Sequence, residues 1–551
     1  MNFIAQESPQ KLRGGFYTDS DIADFLTRWA LEKKPARILE PSCGDGAFLG
    51  AIGRVRPTGK RHVFACELDA GEAKKAQDKL MNAKGTALNI HTGDFLKWFL
   101  FHLETEQPFG SVVGNPPFIR YQYLPSEQQF LAEKVFSRFG LPFTKHTNAW
   151  VPFVVASLAL LEPGGRLAMV IPSEIFHIPH AQSLRRFLSE QCSRILIFDP
   201  EELWFEDALQ GVVLLLAEKK KTATERSRGL AVCPVDNRNI LCNSASAYFE
   251  NASYTNGESI SGKWMSVFLR EQERTLLNAI RHDSRFSAFG QLADVDVGIV
   301  TGANKFFLVT DDVVDSFGLG KWAHPMFGRS EHVTGVVFNQ VDLQNNRKNG
   351  LPTNFLWFDD APFNSFPASV QRYLRSGEEQ GLPKRYKCRI RSPWFRVPSV
   401  YTAPVAMLKR AHHCPRLVLN KANSFTTDTA YRIRPSKLTG TSLVYSFFNS
   451  LTSLSAELEG RHYGGGVLEL VPSEIERLLL PVYPAREKEL ASLDARFRSC
   501  NDVSQLLYEQ DRIVLTYAGL SASEIATLHE AWDRLKNRRQ RNKTLVDEVA
   551  D

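Results

Sequence analysis

Between about Ala36 and Lys219 the chain alternates short β-branched or apolar runs with helical patterns, and this alternation commits it to a parallel α/β sheet. The strand candidates are Arg37–Leu39, Val63–Glu67, Leu88–His91, Ser111–Val113, Leu167–Ile171, Ile195–Phe198 and Val212–Ala217. Helical stretches fall at Ala47–Ile52, Glu72–Met81, Pro152–Leu161 and Ala181–Cys192. A further helix, Ile22–Leu31, precedes the sheet, with Asp19 or Ser20 as its cap. Helices give out before Gly211, so the strand opened there is expected to be an antiparallel edge. Sheets of this kind gather their ligands at the carboxyl ends of the strands.

The charged segment KKKTATERSRG, Lys219 to Gly229, is poor in apolar residues and reads as a domain boundary, dividing 1–225 from 226–551. Beyond it the texture turns to Asn, Ser, Pro and aromatic residues, and helical character returns from Ala485. A formal net charge of +6 tolerates a polyanionic partner without requiring one. The eight cysteines include no C-x-x-C pair and read as reduced core residues. His412, His413 and Cys414 lack a second ligand pair, so no metal is expected. The start lacks the cationic and apolar regions of a signal peptide, and the best uncharged apolar run, Gly211 to Ala217, is only strand-sized. A soluble, cytoplasmic protein is the expectation.

The chemistry concentrates at the predicted strand ends. Glu40-Pro41-Ser42-Cys43-Gly44-Asp45-Gly46 follows the first strand, a glycine turn that lets a ligand approach the backbone beside a helix start. The pattern G-x-G-x-x-G is broken by Leu49, and Glu40 and Asp45 would repel a phosphate while attracting the ammonium group of S-adenosylmethionine. Glu67-Leu68-Asp69 ends the second strand about twenty residues on, where doubly wound folds place a ribose-binding acid. In Gly93-Asp94-Phe95, after the third, Asp94 is placed to accept from an adenine amino group while Phe95 packs on its ring, though a core phenylalanine is an equal reading. Asn115-Pro116-Pro117-Phe118 ends the fourth. Proline brings no N–H, so backbone carbonyls stay exposed there beside an amide and a flat ring, a set that can hold a planar amine.

This layout resembles the N6-adenine DNA methyltransferases, in particular the TaqI-like group, in which the cofactor motif precedes the catalytic one and a target-recognition domain follows. The likeness covers roughly residues 11–219 and takes in Gly15-Phe16-Tyr17-Thr18, EPSCGDGAF (Glu40–Phe48), Glu67, GDF, NPPF, the stretch NAWVPFVVASLALLEPGG and the strand GRLAMVIPS. It implies a Rossmann-like class I methyltransferase sheet of seven strands, the last antiparallel, followed by a mixed α+β DNA-recognition domain with a helical tail. The implied cofactor is S-adenosyl-L-methionine, contacted by Tyr17, Thr18, Glu40, Pro41, Ser42, Gly44, Gly46, Glu67, Leu68, Asp94, Phe95 and Asn115. Asn115 and the Pro116 carbonyl would accept from the exocyclic amine of a flipped-out adenine, and Phe118 would stack on the base. A second aromatic, Phe205 or Trp204, would close its other face. Cys43 is expected to be a core residue, because the amine attacks directly.

In the C-terminal half, Lys384, Arg385, Lys387, Arg389, Arg391 and Trp394 mix cations with aromatics as nucleic-acid surfaces do. The run Arg534 to Lys543 reads as an exposed helix face. The expected partner is double-stranded DNA, bound by a monomer in a prokaryotic nucleoid, with any cognate restriction endonuclease acting separately. Two other readings compete. The same sheet and motif also serve methylation of glutamine amides or ribosomal RNA bases, in enzymes that usually add small, often N-terminal domains. A non-catalytic DNA-binding subunit would be expected to have lost Glu40, Glu67, Asp94 or Asn115, and all are present. No nuclease constellation is recognisable.

Overall fold

The computed structural model describes residues 17–55, 59–80, 85–202, 204, 211–255, 262–358, 362–463 and 465–540. The chain divides into two compact units between Phe268 and Leu269.

The first unit is built on an eight-stranded sheet: β1 Arg37–Glu40, β2 Arg61–Glu67, β3 Thr86–Thr92, β4 Phe109–Gly114, β5 Leu161–Pro172, β6 Cys192–Pro200, β7 Val212–Lys219 and β8 Gly229–Val235, in the order 3-2-1-4-5-7-6-8. All seven expected strands are present. Two features correct the expectation. The antiparallel strand β7 is not an edge, because it pairs with β5 on one side and β6 on the other. The edge is β8, an eighth strand parallel to β6, and it lies beyond the boundary drawn at 225. The charged segment before it is therefore the loop between β7 and β8. All but the last residue of β7 are buried, as its unbroken VVLLLA run requires of a strand covered on both faces.

Helices α1 Ser20–Leu31, α2 Ala47–Arg54, α3 Ala70–Leu80, α4 Phe95–His102, α5 Ser126–Arg138, α6 Trp150–Ala159, α7 Gln182–Gln191 and α8 Ala245–Asn251 cover the sheet. One set, α1, α2, α3 and α8, packs together, and α4 to α7 form another. This is the doubly wound arrangement, whose strand order reverses beside β1. Helix α4, FLKWFLFH, has no polar stripe to reveal it as amphipathic; Phe95, Leu96, Trp98 and Phe99 are all buried. No helix among the described residues is long and apolar enough to cross a membrane.

The second unit is mixed α+β. Its five-stranded sheet runs Ala293–Val297, Ala430–Pro435, Val405–Leu408, Leu417–Asn420 and Val337–Phe338. A separate core gathers Phe306, Phe307, Trp322, Phe355, Phe358 and Phe395. Helix Ser450–Glu459 has nine of its ten residues buried and packs along Ala522–Gln540. Near the C-terminal ends of these two helices Glu457 and Arg539 form a fully buried ion pair at 2.7 Å. Arg539 also donates to the carbonyls of His412 at 2.7 Å and His413 at 3.0 Å. The expected exposed run is thus corrected at its described end: Lys536, Arg539 and Gln540 are buried, while 541–543 lie outside the described residues.

Candidate active site

Strands β1 to β4 are mutually parallel, so Glu40, Glu67, Asp94 and Asn115 come out on one edge of the sheet. The glycine turn between β1 and α2 is the tightest part of this edge. Gly44 and Gly46 have φ of +51° and +91°, values that side chains disfavour. A Cβ on Gly46 would sit 2.8 Å from Ala76 Cα in α3, whereas one on Gly44 would meet nothing within 4 Å. Gly46 therefore serves helix packing, and Gly44 leaves room. Gly46→Ala is expected to cost the first unit about 1–3 kcal/mol, read as a lower thermal midpoint.

Glu67 ties the turn to β2. Its two carboxylate oxygens accept from Gly44 N–H at 2.8 Å and Asp69 N–H at 2.9 Å. Each oxygen keeps a second lone pair for a ligand hydroxyl. Asp94 caps α4, accepting from Lys97 N–H at 3.0 Å through Oδ1. Phe95, by contrast, is buried with its ring 5.2 Å from that of Phe153 and beside Trp98 and Phe99, as a core phenylalanine would be. Leu68 is exposed at the rim.

Glu40 is the unusual member. It is 1% exposed, and its Oε2 has no hydrogen-bond partner among the described residues. Burial pushes its carboxyl well above the usual range, and Glu67 and Asp45 push it further. A buried acid facing two others is a demand for a cation. Burial likewise raises the Cys43 thiol, which leaves it unreactive and in the core.

The NPPF segment is held against this turn. Ser42 Oγ donates to the Asn115 carbonyl at 3.1 Å, and a Cβ on Gly114 would press on Pro41 at 3.2 Å. The Asn115 amide nitrogen donates to Thr18 Oγ1 at 3.1 Å, committing the donor side of the group and so orienting its acceptor side. This link between Thr18 and Asn115, 97 residues apart, carries no local sequence signal. Phe118 is half-buried, packed against the sheet core. Trp204 is buried in that same core with the Arg238 guanidinium 5.9 Å from its ring centroid. Phe205, Gly15 and Phe16 lie outside the described residues.

The basic segment of the second unit splits in two. Lys384, Arg385, Lys387 and Arg389 are exposed around the 64% exposed Tyr386. Arg391 turns inward instead, donating to the carbonyls of Val300 at 2.6 Å and Thr301 at 2.7 Å, and Trp394 packs on Phe306 and Phe395. These two side chains are half-buried and engaged within the unit, unlike the four exposed cations. Arg391 in effect pins the GIVTGANKF turn, where a Cβ on Gly298 would overlap the Thr427 and Ala430 carbonyls and one on Gly302 would crowd Lys387.

A doubly wound sheet with acids on three strand ends and an NPPF motif on the fourth is a Rossmann-like class I methyltransferase sheet. The family described as N-6 DNA Methylase matches residues 1–257, and that described as Type II methyltransferase M.Eco57I, C-terminal domain, matches 261–515. With the methylase domain ahead of this C-terminal domain, the chain belongs to the N6-adenine DNA methyltransferases. Type II methyltransferase M.AccI of Acinetobacter calcoaceticus is 21% identical over 475 residues, covering 84% of each chain. Type II methyltransferase M.XamI of Xanthomonas campestris pv. amaranthicola is 22% identical over 474 residues, covering 85% of each. Among solved structures, the type IIG restriction endonuclease BpuSI aligns with a TM-score of 0.41 at 14% identity, over 97% of this chain and 66% of that one.

Proposed function

We propose that the chain is the modification enzyme of a restriction–modification system, moving a methyl group from S-adenosyl-L-methionine to N6 of an adenine flipped out of duplex DNA at a specific site. The observation that carries this reading is the convergence of Glu40, Glu67, Asp94 and Asn115 on one sheet edge. The residues there fit the cofactor's chemistry. Glu40 has an unpartnered buried oxygen for an ammonium group, Glu67 has lone pairs for the ribose hydroxyls, and Asp94 keeps Oδ2 for an adenine amine. When bound, the cofactor supplies an electrophilic methyl group on a sulfonium.

The chain's own residues do the rest by placement. Asn115 and the Pro116 carbonyl accept from the N6 amine, turning its lone pair toward the methyl donor. Phe118 stacks on the base, worth about 1–3 kcal/mol. Phe205 is the remaining candidate for the second face. Rate comes from alignment and fixed dipoles, with no covalent intermediate. The enzyme acts as a monomer on one strand at a time, and its cognate endonuclease is a separate protein.

Expression in a host lacking adenine methylation, followed by long-read mapping of modified bases, tests this directly. One fully modified sequence motif at adenine is expected, and an unmodified genome overturns the reading. Duplex affinity should fall steeply with salt. Replacing Lys384, Lys387 and Arg389 together by alanine should reduce the slope of log K against log salt by about 2–3. Arg391→Ala should lower stability with little change in that slope.

A further inference from the structure

Beyond Phe118 the chain stays at the sheet edge. The Ile119 carbonyl accepts from Ala149 N–H at 2.9 Å, next to the start of α6. Residues Tyr121–Tyr123 then make one tight turn, closed by Tyr123 N–H to the Arg120 carbonyl at 2.9 Å and Leu124 N–H to the Tyr121 carbonyl at 3.1 Å. Gln129 on α5 clamps it from below, its amide nitrogen donating to the carbonyls of Tyr121 at 3.1 Å and Leu124 at 2.9 Å. The Tyr121 ring meets Phe143 edge-on at 5.8 Å, and Leu124 is buried.

The backbone is thus held on several sides, yet Arg120, Gln122 and Tyr123 are exposed. Tyr123 is 57% exposed, and neither its side chain nor that of Arg120 has a hydrogen-bond, ionic or ring partner among the described residues. A fixed turn that holds out a cation and a flat ring is suited to a polyanion with stackable groups. The chain length allows Arg120 Cα to lie at most ~7 Å, and Tyr123 Cα at most ~18 Å, from Phe118 Cα. Those upper bounds keep both residues close to any base seated on Phe118.

Flipping an adenine leaves a gap in the stack, at a cost of a few kcal/mol, and leaves the flanking phosphates to be neutralised. A ring entering the gap recovers stacking, and a guanidinium pairs well with a phosphate. We propose that the Arg120–Tyr123 turn opens the duplex: Arg120 contacts a phosphate flanking the target adenine, and Tyr123 fills the space the base has left. This rests on the reading of the site as an adenine methyltransferase.

The test uses the full chain and a paired duplex carrying the mapped motif with its target adenine, on which turnover is read, together with a copy carrying 2-aminopurine in place of that adenine, which reports flipping alone. A second duplex has an adenine target mispaired so that opening is cheap. Tyr123→Ala should lose most of the fluorescence gain and about tenfold in kcat/KM on the paired duplex, with under about threefold lost on the mispaired one. Tyr123→Phe should behave as the parent. Arg120→Ala should lower the salt slope by about one on both. If Tyr123→Ala affects the two duplexes equally, or Arg120→Ala leaves the slope unchanged, the proposal is overturned while the methyltransferase reading stands. If the parent protein methylates neither duplex, both fall.

Discussion

Asn115→Ala lowers methyl transfer by about 10²–10³-fold, the loss typical of one fixed hydrogen-bonding group at a reacting centre. Single-turnover kinetics on the mapped duplex would read it. Cofactor affinity should change little, because Glu40, Glu67 and Asp94 sit on other strands and Glu67 is fixed by backbone N–H groups of its own side of the site. Asn115→Asp separates the two halves of the amide. It keeps an acceptor but loses the donor that meets Thr18 at 3.1 Å, and it adds charge to an edge already carrying three acids. Its rate should fall between the parent and the alanine variant. Undiminished transfer by Asn115→Ala would remove the residue from the chemistry.

Arg539→Met destabilises the second unit by about 3–5 kcal/mol, because it leaves the buried Glu457 carboxylate with His462 at 3.3 Å in place of a permanent cation. The carbonyls of His412 and His413 lose their donor as well. The double variant Glu457→Met, Arg539→Met should recover much of the loss, since the penalty lies in the buried charge left without Arg539. Hydrogen exchange over Ser450–Glu459 and Ala522–Gln540 would localise the effect. Acid should act in the same place. Burial raises the Glu457 carboxyl, but Arg539 and His462 outweigh it and hold it at about 2. The unfolded chain takes up this proton first, so the contribution is complete above about pH 4.3 and disappears as pH falls toward the folded value. Burial also lowers His462, so its share begins to go below about pH 6.5. Equal protection at pH 7 and pH 4 would contradict this account.

The catalytic edge was legible in the sequence because each of its residues follows a strand whose apolar run is visible, and parallel strands bring their ends together. What the sequence could not weigh was whether a side chain beside a motif faces out or in. Phe95 and Trp394 sit within suggestive patterns but pack on Phe153 and Phe306, and Arg391 bonds the carbonyls of Val300 and Thr301, all from distant parts of the chain. Helix α4 was missed because an all-round apolar helix has no period to detect. The position of β7 was misjudged for the opposite reason. Its continuous apolar run already describes a strand with both faces covered, whereas the loss of helices before Gly211 marks only a change of strand direction and not an edge.

The strand β8 bears on how enzymes of this design can change what they recognise. It pairs with β6 from Arg194 to Pro200, so the stretch after Lys219 is a sealing strip for the catalytic sheet and not a tether. A recombination joint at 225 would swap that strip along with the reader and leave β6 with an open edge, a template for sticking to other chains. A joint after Phe268 leaves the sheet whole. The natural seam for acquiring a new target sequence while inheriting an intact catalyst therefore lies past the third and last crossing of the chain through this end of the sheet.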